Sequence, residues 1–210
     1  MTDRRPTTAV RPQRAQQERS RIAKQRILDA TVRVLVDHGY ANTTTLRIQD
    51  EAQVSRGGLL NHFPSRDALV VAAVQHLATE RIQALGSRTS WPEDLADRVD
   101  EAVDAMWATY SQSYFWASVE LWVASRTKPE LREALRPAEH TTGEMVRTFT
   151  DAFFGTTLTA RPSYPMVREL LNTSMRGVAL TYAFEPRDPS RDPHLATWKS
   201  VAANLLLTAD

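Results

Sequence analysis

The chain has 210 residues, 42% apolar and 24% charged, enough apolar material for a real core, and without cysteine it has neither a disulfide framework nor a thiolate zinc site. Its first 26 residues lack the apolar core of a signal peptide and no apolar run approaches the roughly 20 residues that span a bilayer, so a cytoplasmic protein with no membrane partner is expected. The net charge of +1 hides a polarity: residues 1–63 hold 11 Lys/Arg against 6 Asp/Glu, net +5, and residues 64–210 hold 15 against 19, net −4, which suits a polyanion-binding end and equally a solubilising tail.

Glycine is scarce, strand-like alternation is absent and helical periodicity runs through nearly every segment, which predicts an all-α fold. Residues 1–16, with Pro6 and Pro12 and little that is apolar, are expected to form a disordered basic arm. A first helix is predicted over 17–37, with Ile27, Ala30, Val34 and Leu35 on one face and Gly39 as the left-handed residue that ends it. Residues 44–63 then read as two short helices around a tight turn. Thr44 caps the first, Leu46, Ile48 and Ala52 supply its buried contacts, Gln53-Val54-Ser55 is the turn, and Ser55 caps the second. Leu59 and Phe63, four apart, face inward and leave Arg56, Gly57, Gly58, Asn61 and His62 outside.

A helix presented this way fits the major groove of B-DNA, although helix–turn–helix pairs also occur in bundles that touch no DNA. Gly57 and Gly58 argue for contact, since each costs about 1 kcal/mol against Ala in a helix and makes sense where the backbone must approach another surface. The DNA-facing set is expected to be Thr44, Ser55, Arg56, Gly57, Gly58, Asn61, His62 and Arg66.

Pro64 interrupts the chain, and Ser65 is expected to cap a long helix over 65–85. Ser90-Trp91-Pro92-Glu93 has capping-box spacing and opens a helix over 90–112. An aromatic segment covers 114–125. Thr127-Lys128-Pro129-Glu130 repeats the start signal for a helix over 127–154, followed by a loop over 155–163. Another helix is predicted over 165–184 and a loop over 186–193. Asp192 as cap, with Pro193 in the first helical position, opens the last helix, which ends near residue 208. The count is about nine helices.

Residues 19–70 resemble the DNA-binding domain of the TetR family. The likeness rests on Gly39-Tyr40, Thr43-Thr44, Ile48, Ala52, Val54-Ser55, Arg56-Gly57 and the run His62-Phe63-Pro64-Ser65-Arg66-Asp67-Ala68-Leu69. The sequence departs from the family pattern at Gln49, at Gln53 in place of the turn glycine, at Gly58, and at Leu60-Asn61 in place of a tyrosine and its aromatic neighbour. Gln53 is thereby expected to bear a left-handed conformation at some cost. The resemblance implies a three-helix helix-turn-helix domain over 17–64 and a larger helical domain over 65–210 that binds an effector and dimerises. It also implies a ligand-responsive repressor that binds a palindromic operator in double-stranded DNA as a homodimer.

In this family the last two helices pair and a helical cavity takes a small molecule. The matching stripes here are Leu170, Ser174, Gly177, Val178 and Thr181 on the penultimate helix and Leu195, Trp198, Ala202 and Leu205 on the last, with burial inside the monomer as the alternative. For the effector the candidates are Trp107, Tyr110, Glu120, Trp122, Phe149 and Phe153, in a region where most aromatics are simply core. Glu120 has three readings: a cationic ligand, a salt bridge, or solvent.

Enzyme readings find little purchase. Gly57-Gly58 is no dinucleotide fingerprint, and His76/Glu80 and His140/Glu144, each at i, i+4, lack a third metal ligand in the sequence. No metal and no cofactor are expected.

Overall fold

In the computed structural model, which describes residues 10–86 and 90–208, nine α-helices follow one another and no strand occurs among the described residues. They are α1 (Val10–Asn42), α2 (Thr45–Ala52), α3 (Arg56–Leu60), α4 (Arg66–Gly86), α5 (Leu95–Tyr110), α6 (Ser113–Ser125), α7 (Pro129–Thr159), α8 (Tyr164–Thr181) and α9 (His194–Leu207). A short 3-10 turn, Pro189–Arg191, precedes the last.

Four clusters of buried side chains hold these helices together, the smallest being Ala78 and Ile82 of α4 with Tyr114 of α6. The first unites α1, α2, α3 and the start of α4 around Ile27, Ala30, Ile48, Leu59, Phe63 and Leu69, and makes a small head. The largest lies in the body between α5, α6, α7, α8 and α9, with Val103, Met106, Phe154, Leu171, Met175 and Trp198 at its centre. The third joins the two: Leu35 and Tyr40 of α1 and Val70 and Val74 of α4 pack on Leu121 of α6 and Leu131 of α7. The expected division at residue 64 therefore falls at the start of a helix whose first turns belong to the head core.

Both long helices are broken by a glycine of positive φ, Gly39 in α1 (φ 71°) and Gly155 in α7 (φ 77°). A break strands amide and carbonyl groups that need new partners. At Gly155 the Arg98 guanidinium supplies them, donating to the carbonyl of Ala152 at 2.8 Å and to that of Phe153, and a Cβ on Gly155 would stand 3.0 Å from it. The helix resumes after the glycine to residue 159, where the sequence suggests a loop.

Other boundaries also move. Residues 10–16, expected as a disordered arm, are helical; Pro12 is tolerated because it lies in the first turn, where amides have no intrahelical partner. The remainder of the arm, residues 1–9, lies outside the described residues. Helix α5 starts at Leu95, not at the Ser90–Glu93 box, because the Asp94 carboxylate accepts from the amides of Ala96 (2.9 Å) and Asp97 (3.0 Å). At the other end Asp192 does cap: its buried carboxylate accepts from the His194 amide at 2.8 Å and from the Tyr182 hydroxyl at 2.5 Å, and these bonds hold its pKa below the ordinary carboxylate range. Burial and Asp192 together push the Tyr182 hydroxyl up to about 12.

The stripe expected on the last helix divides. Trp198 is 5% exposed and Ala202 fully buried; both face the monomer core, and Leu195 packs against it. The Trp198 indole donates to Ser174 Oγ at 2.9 Å and lies 4.9 Å, centroid to centroid, from Trp107, so Trp198, Ala202 and Ser174 are internal contacts rather than an outer face. Leu205 remains exposed. Trp198→Ala should accordingly lower monomer stability by about 3–5 kcal/mol in chemical denaturation. A loss below about 1 kcal/mol, the size of an ordinary surface substitution, would contradict this placement.

Candidate nucleic-acid interface and ligand cavity

The head is assembled from local rules. The Thr44 hydroxyl accepts from the Arg47 amide at 3.3 Å and the Ser55 hydroxyl from the Gly58 amide at 3.1 Å, so each cap starts its helix. Between the helices Gln53 stands at φ 51°, ψ 50°, the only non-glycine residue of positive φ among the described residues. Arg26 of α1 donates to the Ala52 carbonyl at 2.8 Å, and Arg33 pairs with Glu51 at 2.7 Å, which ties α2 to α1. Ile48 and Ala52 are buried as expected, but Leu46 is 65% exposed beside the exposed Arg47.

Around α3, Leu59 and Phe63 are buried in the head core, which turns the opposite face outward. Arg56, Gly57, Leu60 and Asn61 are exposed, Gly58 and His62 half-buried, and the His62 ring lies 6.3 Å from that of Phe63. A Cβ added to Gly57 would meet no atom within 4 Å, and one on Gly58 only the Ser55 hydroxyl at 3.4 Å. Nothing among the described residues requires glycine at position 57. Arg56 makes no ion pair among the described residues.

Arg66 is placed elsewhere. Its guanidinium donates to the carbonyls of Thr43 and Tyr40, reaches Asp67 at 3.1 Å and lies 4.2 Å from the centre of the Tyr40 ring. Its donors are spent on closing the break in α1, and it is not part of the outward face. The Tyr40 hydroxyl donates to Asp67 at 2.7 Å; burial and that bond push its pKa up to about 12, so it keeps its proton. Glu120 belongs to the same knot. Its carboxylate accepts from the Tyr40 amide at 2.9 Å and lies 3.3 Å from where a Cβ on Gly39 would be. None of the three sequence readings of Glu120 describes this: it caps a broken helix from 80 residues away.

The expected effector residues do not converge on one cavity. Trp107 is buried and donates to the Pro189 carbonyl at 2.8 Å; Tyr110 donates to Asn172 at 3.0 Å, and burial pushes it up to about 12; the Arg176 guanidinium lies 5.6 Å from the Trp122 ring. Phe149 and Phe153 do line a partly open cavity of about 20 Å³, with Ile82, Met106 and Val146 completing its apolar wall. Thr109, Tyr114, Thr150 and Asn172 give it four polar groups. That volume holds about one water molecule. Ile82, Thr109, Thr150 and Asn172 come singly from four helices, and no sequence spacing links them.

On α8 an outward stripe of Met166, Leu170, Thr173, Gly177 and Leu180 follows a 4–3–4–3 spacing, with Met166 57% exposed and no atom within 4 Å of a Cβ on Gly177. Val178 and Thr181, expected in this stripe, are half-buried; Val178 packs on the body core. His76–Glu80 and His140–Glu144 pair at 3.2 and 3.1 Å, and no third metal-ligating side chain joins either among the described residues. No helix among them is long and apolar enough to cross a membrane.

Fold and head together define a helix-turn-helix protein with a helical body. The family model of bacterial regulatory proteins, tetR family, matches residues 27–73. The HTH-type transcriptional regulator CymR of Pseudomonas putida is 31% identical over 126 residues, 59% of this chain and 61% of its own length, so the match spans about three-fifths of that relative. Of solved structures, Salmonella enterica GusR superposes with a TM-score of 0.64 at 24% identity, over 89% of this chain and 96% of that one. The multidrug binding protein EbrR, complexed with ethidium, gives 0.62 at 22%, over 87% and 97%. Residues 27–73 thus match the DNA-binding segment of the tetR family, and across the rest of the chain the likeness to these structures is one of fold.

The left-handed Gln53 is the costliest local feature of the head. A non-glycine residue there costs about 1–2 kcal/mol, of which glycine's extra chain entropy returns about 0.5–1. Gln53→Gly should raise the stability of the protein by about 0.5–1 kcal/mol in chemical denaturation. A loss of stability would show that Gln53 makes a contact that outweighs its strain.

Proposed function

We propose that the chain is a transcriptional regulator rather than an enzyme, a ligand-responsive repressor that binds a palindromic operator as a homodimer. The observation that carries the DNA-binding part is Gly57. A helix position whose Cβ would meet nothing has no internal use for glycine, yet pays about 1 kcal/mol against Ala. Close approach of an outside surface explains it. With α3 in the major groove, Arg56 and Asn61 are aimed at base edges, and the Thr44 and Ser55 hydroxyls, the Gly57 amide and His62 are aimed at phosphate, while the Gly58 amide stays with the Ser55 cap at 3.1 Å. Leu46, Arg47 and Leu60, exposed on the same head, extend this face.

Gly177 supports the dimer in the same way, as a bare position in an exposed apolar stripe where a second helix can come close. Leu170 and Leu205, exposed on α8 and α9, fall to this interface. A two-fold pair of heads reads half-sites about one helical turn, or a multiple, apart. The effector reading rests on the cavity at Phe149 and Phe153 and on Ile82, which brings α4 into its wall. Swelling of the cavity moves α4, whose other end is anchored in the head core through Leu69. A shift of two linked heads spoils their match to successive grooves. Such coupling is typically about 1–3 kcal/mol and is reciprocal between ligand and operator. The ethidium bound by EbrR, a fold neighbour, is in keeping with a ligand-binding body.

The test separates stability from binding. Gly57→Ala should stabilise the protein by about 0.5–1 kcal/mol while weakening operator binding at least tenfold, because the new methyl keeps the backbone from the DNA. Arg56→Ala should cost about 1–3 kcal/mol of operator affinity. Full affinity in both variants would overturn the assignment of α3. Separately, Leu170→Glu should give monomers of unchanged helical content in sedimentation that bind the palindrome weakly. A stable dimer in that variant would place the interface elsewhere.

A further inference from the structure

We propose that the ligand of the body cavity is a small uncharged molecule, largely apolar, with one hydroxyl or carbonyl group to match the polar side chains of the wall. This rests on the effector-responsive reading above and adds the chemistry of the effector.

The wall carries no formal charge. Its apolar side comes from Ile82, Phe149 and Phe153 and their neighbours, and its polar groups are two threonine hydroxyls, one phenol and one amide. Burial pushes the Tyr114 phenol above its ordinary pKa, so it stays neutral, and its hydroxyl interacts with Thr109 at the same wall. The amide of Asn172 is held on both sides, donating to the Arg168 carbonyl at 3.0 Å and accepting from Tyr110 at 3.1 Å, which fixes its orientation.

Three charges on α7 and α8 are engaged with other groups. Arg168 pairs with Asp151 at 2.7 Å, and Asp151 also accepts from the Tyr164 hydroxyl at 2.7 Å. Arg176 lies against the Trp122 ring. An ionised ligand entering this space would leave water and meet no charged side chain in the wall, a costly kind of burial. A hydroxyl or carbonyl meets partners it can use: the Thr109 hydroxyl, which donates to the Met106 carbonyl at 2.7 Å, still accepts, and a hydroxyl such as that of Thr150 can donate or accept. The cavity of about 20 Å³ also limits size, because every atom beyond the first few must part Ile82 of α4 from Val146 and Phe149 of α7. Small, neutral and singly polar is the class that gains most and loses least there.

The experiment compares one skeleton carrying three end groups: 3-phenylpropan-1-ol, 3-phenylpropanoate and 3-phenylpropylammonium. Each is titrated into the intact protein at neutral pH, followed by the rise in thermal midpoint and by tryptophan emission, which Trp91, 5.2 Å from the Phe153 ring, is placed to report. Each is also tested for release of bound operator DNA. The expected result is binding of the alcohol with both charged analogues at least about 100-fold weaker. Phe149→Trp, which fills the cavity, should abolish alcohol binding. Thr109→Val, nearly the same in shape, should weaken it several-fold without changing the fold. A charged analogue that binds within tenfold of the alcohol, or that alone releases DNA, would overturn the inference and leave the effector reading standing. Alcohol binding that survives Phe149→Trp in a folded variant would overturn it by placing the ligand elsewhere. Failure of all three compounds to bind would overturn the inference together with the effector reading on which it rests.

Discussion

The break in α1 at Gly39 is the constraint on which the rest of the molecule depends. It turns the chain sharply between the helix that supports the head and the two short helices that form its outer face. The groups released there are taken up from both sides. Glu120, from the body, accepts the Tyr40 amide, while Arg66, at the start of α4, takes the carbonyls of Tyr40 and Thr43. Tyr40 sits inside this knot, with Asp67 on its hydroxyl and the cations of Arg66 and Lys128 over its ring at 4.2 and 4.7 Å. Head and body are thus fixed to each other by charge-assisted bonds at the edge of an apolar cluster, a setting in which such bonds are stronger than in water.

With that junction set, the two outer faces follow. α3 has its buried side occupied by Leu59 and the adjoining Phe63 and leaves a short helix with a bare glycine outward. α8 buries Val167, Leu171, Met175 and Ala179 and leaves the stripe that includes Gly177. In each case the apolar periodicity that builds the monomer core dictates which side remains free. α4 joins head to body: its first turns lie in the head core, its middle packs on α6 and α7, and Ile82 reaches the cavity. One helix therefore runs from the head core to the wall of the cavity.

What could be read from the sequence was mostly what is local. The caps at Thr44, Ser55 and Asp192 act within three residues, and the inward pair Leu59 and Phe63 follows from helical spacing alone. The left-handed turn at Gln53 was legible for the same reason, as a glycine position filled by another residue. Misreadings gather where the partner is distant. Glu120, Arg66 and Trp198 take their hydrogen bonds from groups 80, 26 and 24 residues away, and each looked like a surface or ligand residue until the fold brought its partner near. The last helix shows the limit most plainly. Its apolar positions are dense enough to serve a core or an interface, and only packing against Trp107 and Ser174 decides that Trp198 turns inward. At α5 the error was between two local signals, since Asp94 competes with Ser90 for the same helix start and lies nearer to it.

Selection of bound fragments from the DNA that surrounds the coding sequence tests whether the head reads DNA as one half of a two-fold pair. The intact protein is incubated with sheared fragments at moderate salt, and the retained sequences are determined and footprinted. The expected result is a small set of fragments sharing an inverted repeat, protected over two half-sites on one face of the duplex, with affinity that falls steeply as salt rises. Retention of all fragments alike, or of none at low salt, would contradict it.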